Sequence, residues 1–172
     1  MNYLPETADF KKTYDSGKPQ VVWTTLVSDL DTPVAAFLKL AGEQANCFLL
    51  ESVEGGATRG RYSFIGLKPD VIWRCFGGHA QINRDALSNP NTFEDCSEST
   101  IPSLKSLADE SCVDLPLGLP PMATGLVGYL AYDTVRLVEK LQEVNPDILD
   151  VPDGIFLRPT IMAVFDTIED TV

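Results

Sequence analysis

Tyr62–Asn83 reads YSFIGLKPDVIWRCFGGHAQIN. Two runs rich in β-branched and aromatic residues, Tyr62–Leu67 and Val71–Phe76, flank Lys68-Pro69-Asp70, a turn composition, and predict two strands. Gly77-Gly78 follows at once and predicts a two-residue hairpin into His79–Asn83, because glycine accepts the positive φ that such turns demand. Strands joined by links this short run antiparallel.

The flanking chain fits around that meander. Toward the N-terminus, Cys47–Leu50 is a short buried strand, and before it lies the clearest helix. Thr32 caps that helix, Pro33 suits its first position, and Val34, Phe37, Leu38 and Ala41 recur at i, i+3, i+4, i+7 as one apolar face. Gln20–Val27 (QVVWTTLV) predicts a strand, and Pro5–Ser16 a short helix.

Toward the C-terminus, Ser88–Ser99 is a polar surface loop and Ile101–Cys112 a helix with Leu104, Leu107 and Ala108 inward. Thr124–Ala131 predicts a strand whose two glycines imply close approach of another backbone. Asp133 caps a helix over Thr134–Leu141. An acidic loop follows, then Ile155–Asp166, whose IMAVF run is apolar on both faces, as at the centre of a sheet. Six residues after Asp166 leave no room for a returning partner, so the chain reads as a fold cut partway. The expectation is one α+β domain over residues 1–172, a largely antiparallel sheet with helices packed on it.

Composition bounds the function. A net charge of −12 over 172 residues repels phosphate backbones and anionic lipid, so neither nucleic acid nor a membrane surface is an expected partner. The N-terminus lacks an apolar signal core and no segment approaches about 18 uninterrupted apolar residues, which makes the expected location cytoplasmic. Cys47, Cys75, Cys96 and Cys112 are widely spaced without a Cys-x-x-Cys pair, and read as reduced thiols rather than a zinc site.

The densest chemistry lies in Leu49–Ser63, LLESVEGGATRGRYS. Leu49 and Leu50 end a buried strand, so Glu51 and Ser52 emerge at a sheet edge with a carboxylate and a hydroxyl. Gly55-Gly56 lets the backbone fold over them, Arg59 and Arg61 supply planar donors suited to a carboxylate, and Tyr62 and Ser63 open the next strand. Together these groups suit a zwitterion with an apolar side chain. They equally suit a hairpin loop whose arginines and glutamates pair on the surface.

FLLESVEGGATRGRYSFIG resembles the N-terminal signature of anthranilate synthase component I, and PMATGLVGYLAYDTVRLVEKL resembles that family's second N-terminal block. Pro159-Thr160-Ile161 through Asp166 resembles its strand ending in Phe-Asp. The resemblance implies the N-terminal part of a lyase of tryptophan biosynthesis that converts chorismate and ammonia to anthranilate and pyruvate. It implies a glutamine amidotransferase subunit (component II) as partner, and Mg2+ as cofactor with ligands outside this fragment. It also implies that L-tryptophan, the feedback inhibitor, binds beside the Leu-Leu-Glu-Ser motif. Carried over, Ser52 is the polar contact, Leu50 and Glu51 shape the pocket, and Tyr62 and Ser63 follow. Arg61 faces a carboxylate or pairs with Glu51 or Glu54. No catalytic residue is expected in this fragment, which alone should be inactive. Aminodeoxychorismate synthase component I is the neighbouring alternative, separable by its product, and a stand-alone amino-acid-binding module is the alternative of another class.

Elsewhere the chemistry is thin. His79 reads as a solvated hairpin side chain. Glu139, Glu143, Asp147, Asp150 and Asp153 lack calcium-loop spacing, and the glycines make no phosphate cradle. Trp23 and Trp73 read as core, and neither Ser52 nor Cys47 has an evident histidine to activate it.

Overall fold

The computed structural model describes residues 2–53, 59–120, 122–142 and 147–172, with the backbone alone at residues 52, 53 and 59. Glu54, Gly55, Gly56 and Glu143 lie outside the described residues. In chain order the elements are α1 (Thr7–Asp15), α2 (Pro33–Ala41), β1 (Phe48–Val53), β2 (Arg59–Phe76), β3 (His79–Asn83), β4 (Glu94–Asp95), α3 (Thr100–Glu110), β5 (Val127–Leu130), a 3-10 helix (Tyr132–Leu137) and β6 (Gly154–Asp166). The strands are ordered β4-β3-β2-β6-β5, with β1 also on β2. The β1/β2, β2/β3, β3/β4 and β5/β6 pairs are antiparallel, so the fold is α+β on an antiparallel sheet.

The chain forms two compact units, one of Met1–Lys68, Cys112–Gly125 and Thr160–Val172, the other of Pro69–Ser111 and Leu126–Pro159. In the first, α2 lays Ala36 and Ala41 on Ile65, Leu67 and Phe165, with Phe37 and Leu49 at the margin. Thr32 caps α2 by accepting the Ala35 N–H at 3.2 Å, and Pro33 opens it, as the sequence predicts. Of the expected inward face, Ala41 is buried and Phe37 packs against the core, but the other two residues turn out. Val34 and Leu38 are 45% and 67% exposed, because the small Ala36 and Ala41 make the contact and rotate the larger residues outward.

In the second unit, Trp73 and Cys75 of β2, Ala80 of β3 and Leu107 of α3 form a core with Phe156 of β6. α3 turns Thr100 and Ser103 inward, whereas Ala108 is exposed. Those polar side chains are satisfied: Trp73 Nε1 donates to Ser103 Oγ at 3.1 Å, Ser103 Oγ to the Thr100 carbonyl, and Thr100 Oγ1 to the Gly77 carbonyl. Phe76 pairs with His79 across Gly77-Gly78, the predicted hairpin, with Gly77 at φ +54°. Gly128 sits so close to β6 that a Cβ there would strike the Ile155 carbonyl oxygen, the close approach its position in the sequence implied. Arg158 forks onto Asp70 at 2.9 and 2.8 Å and reaches Glu110, which also takes both arms of Arg84.

Three expected elements take another form. Lys68-Pro69-Asp70 is not a turn: β2 runs unbroken for 18 residues, absorbing the irregularity at Lys68, whose φ is +50° and whose carbonyl accepts the Thr160 hydroxyl at 2.7 Å. Gln20–Val27 forms only isolated bridges, Leu4 with Trp23 and Val27 with Thr171, and Trp23 is half-buried rather than core. Its β-branched residues keep the backbone extended without a continuous partner strand. The helix expected over Thr134–Leu141 is the 3-10 segment Tyr132–Leu137. Asp133 pairs with Arg136 at 2.8 Å instead of capping, and the Thr134 hydroxyl ties back to the Ala131 carbonyl.

Candidate functional site

The LLES segment forms β1. Its register on β2 pairs Phe48 with Gly66, Leu49 with Ile65, Leu50 with Phe64, and Glu51 with Ser63. Directly opposed residues share a sheet face, so the ladder sorts these side chains into two sets. Glu51 and Ser63 continue the row of Leu49 and Ile65, which belongs to the core under α2. Ser63 is 4% exposed and Glu51 open to solvent, so this row runs from apolar through a buried hydroxyl to a free carboxylate. Leu50, Phe64 and Tyr62 lie on the other face, where the Tyr62 and Phe64 rings meet at 6.1 Å between centroids and the Phe48 ring covers Gly66.

The expected site residues therefore divide, Glu51 with Ser63 and Leu50 with Tyr62. Both sets adjoin one irregularity near the end of the ladder. There the register shifts: after Glu51–Ser63 the next pair is Val53–Arg59, so the backbone of Ser52 faces three residues of β2, Gly60, Arg61 and Tyr62. A bulge of this kind parts the strands and re-aims the chain, a common device beside binding sites.

Arg61 pairs with Asp166 rather than with Glu51, and Glu54, the other glutamate considered for it, lies outside the described residues. Its Nε lies 3.0 and 3.1 Å from the two Asp166 carboxylate oxygens, and its Nη2 donates to Oδ2 at 2.7 Å. The same guanidinium carbon stands 4.9 Å from the centroid of the Tyr62 ring. Hydrogen bonding to the Arg61 fork, helped by the N–H groups of Ile168 and Glu169, holds the Asp166 carboxyl below the usual carboxylate range. Sequence reasoning missed Asp166, since 105 residues separate it from Arg61 and it is the placing of β6 beside β2 that brings them together.

The remaining candidates are occupied by structure. His79 Nε2 lies 3.0 Å from Asp95 Oδ1, which also accepts from Gln81, and the imidazole is largely exposed at the hairpin. In the acidic loop, Asp153 accepts the Gly77 N–H at 2.6 Å, and Asp147 Oδ1 accepts the N–H groups of Leu149 and Asp150. The four cysteines are free thiols. Burial, with the Asp153 charge nearby, pushes the Cys75 thiol up to about 11, which keeps it protonated and unreactive. Among the described residues no group of three or more His, Cys, Asp or Glu is placed to hold a metal ion, and no helix is long and apolar enough to cross a membrane.

No family model matches the chain. Curated relatives do. The chain is 45% identical over 163 residues to anthranilate synthase component 1 of Cereibacter sphaeroides, covering 95% of this chain and 33% of the relative. It is 42% identical over 146 residues to the protein of that name from Pseudomonas putida, covering 83% and 28%, and 36% identical to that from Thermus thermophilus, covering 85% and 29%. The chain thus spans about a third of the length of the curated relatives it matches. Among solved structures, anthranilate synthase component I from Streptococcus pneumoniae matches with a TM-score of 0.50 over 84% of this chain and 29% of its own, at 18% identity, a likeness of fold.

Proposed function

Because the chain is homologous along 95% of its length to the N-terminal region of anthranilate synthase component 1, we propose that it is the feedback-regulatory part of such an enzyme. The whole protein converts chorismate, with ammonia drawn from glutamine by a component II amidotransferase subunit, to anthranilate and pyruvate. Mg2+ and the chorismate-binding groups belong to the two-thirds of the protein beyond the homologous region. This part senses L-tryptophan.

The observation that carries the reading is the register shift in the β1–β2 ladder, beside which an exposed carboxylate and a buried hydroxyl lie on one face of the sheet and an apolar wall on the other. An amino acid seated where the strands part reaches both faces. Glu51 accepts from its ammonium group, Ser63 offers a hydroxyl to its carboxylate, Leu50 and Tyr62 flank its side chain, and the resemblance of the motif assigns the Ser52 hydroxyl as a further polar contact. A ligand held there inhibits only to the extent that these contacts differ between the active and inactive states.

Ser52→Ala in the full-length protein tests this, with inhibition expressed against the variant's own uninhibited rate. A hydrogen bond to a charged group contributes about 1.5–3 kcal/mol, so the L-tryptophan concentration for half-inhibition rises about tenfold or more. Superimposable inhibition curves for variant and parent would refute the reading.

A further inference from the structure

Arg61 is held at three places. Its guanidinium forks onto Asp166, its carbonyl accepts the Thr167 N–H at 2.9 Å and the Thr167 hydroxyl at 3.0 Å, and its charged head rests against the Tyr62 ring. Asp166 is held as firmly. Its Oδ1 accepts the N–H of Ile168 at 3.0 Å and of Glu169 at 3.3 Å, which folds the chain after β6 into a turn. Its backbone N–H bonds the Thr171 carbonyl, and beyond it Val172 and Leu26 exchange hydrogen bonds at 2.7 and 2.9 Å. The Asp166 side chain is 14% exposed, so water competes weakly for the fork. A planar guanidinium gripped bidentately cannot swing, and the Tyr62 ring beneath it is limited to match.

We propose that Asp166 is a positioning residue of the effector site: by fixing Arg61 over Tyr62 it sets the aromatic wall at the register shift of the β1–β2 ladder and couples that wall to the turn after β6. This rests on the reading of the site as an L-tryptophan sensor. Asp166 itself touches no ligand. Its effect passes through Arg61 to the ring, so losing the grip loosens the wall while the ladder and its core remain.

Asp166→Asn is the incisive variant, since an amide oxygen still accepts the Ile168 and Glu169 N–H groups while the charge-assisted fork is lost. Four quantities are read in the full-length protein: the L-tryptophan concentration for half-inhibition, the uninhibited kcat, the chorismate KM, and the thermal midpoint. The expected result is a five- to tenfold rise in the half-inhibiting concentration with kcat and KM within twofold of the parent. Added to Tyr62→Ala, Asp166→Asn shifts inhibition no further, because both act through the same ring. Unchanged inhibition in Asp166→Asn overturns the proposal, as does a change in kcat or KM as large as the change in inhibition, the mark of general structural damage. If Ser52→Ala shifts inhibition while Asp166→Asn does not, the positioning role alone falls. A parent enzyme indifferent to L-tryptophan removes the sensor and this role together.

Discussion

At the scale of single residues, the structure distinguishes glycines by what surrounds them. Gly128 of β5 faces the Ile155 backbone so closely that a methyl group would collide with a carbonyl oxygen that β6 holds in place. Gly78, second in the β2–β3 turn, has nothing within 4 Å of where its Cβ would stand. Gly128→Ala is therefore expected to destabilise by about 2–3 kcal/mol, the range of overpacking in a site that cannot relax, whereas Gly78→Ala stays within about 0.5 kcal/mol. Urea unfolding midpoints of the two variants check this directly, and equal midpoints would contradict it. Gly128 was legible from sequence, since glycine inside a strand implies close approach. The partner of Arg61 was not. Charge and geometry announce that an arginine fork wants a carboxylate, but they do not choose among carboxylates scattered along the chain.

At the scale of elements, α2 is the segment whose start is written most plainly in its residues. The Thr32 hydroxyl oxygen accepts the Ala35 N–H and Pro33 supplies a preset φ. Thr32→Ala is expected to cost about 1 kcal/mol, and Thr32→Ser, which keeps the hydroxyl, a few tenths, as read from thermal midpoints with far-ultraviolet circular dichroism. A cost for alanine no larger than for serine would show that the cap is idle. Caps and tight turns are local, which is why α2 and the Gly77-Gly78 hairpin were legible. The misread elements depend on distant partners. Lys68-Pro69-Asp70 has the composition of a turn, yet Thr160 and Arg158, both on β6, bond its two ends, and the segment stays within β2. Val34 and Leu38 match a helical period along with Phe37 and Ala41, but the seat on Ile65 and Leu67 takes Ala41 as predicted and Ala36 in place of the two larger residues. The candidate site divides the same way: composition made LLES a strand with Glu51 emerging from it, while the exposure of Leu50, expected to be buried, and the irregularity opposite Ser52 became visible only in the structure.

At the scale of the whole molecule, two electrostatic effects oppose one another as the pH falls. The chain carries a net charge of −12 at pH 7, and this self-repulsion weakens toward the isoelectric point near 4.3. Against it stand carboxylates whose folded-state pKa is depressed: Asp95 by hydrogen bonds from Gln81 and His79, Glu110 by Arg84 and then Arg158, and Asp166 by Arg61. Their ordinary values are 3.8, 4.5 and 3.8, so the unfolded chain takes up protons there while the folded chain still resists. Their stabilisation is complete above those values and is lost as the pH drops through the lower folded ones. Acidification from pH 8 should first raise stability, as repulsion fades, then lower it below about 4.5, giving a maximum near pH 5 at low ionic strength. Raising the salt from about 0.05 to 0.5 M shortens the Debye length to a few ångströms and should raise the urea midpoint at pH 8 more than at pH 5. The same salt lowers the gain from the exposed Asp95 and Arg84 pairs, so its effect turns destabilising where net repulsion has vanished. A midpoint at pH 8 that salt leaves unchanged or lowers would mean that the local pairs outweigh the collective charge.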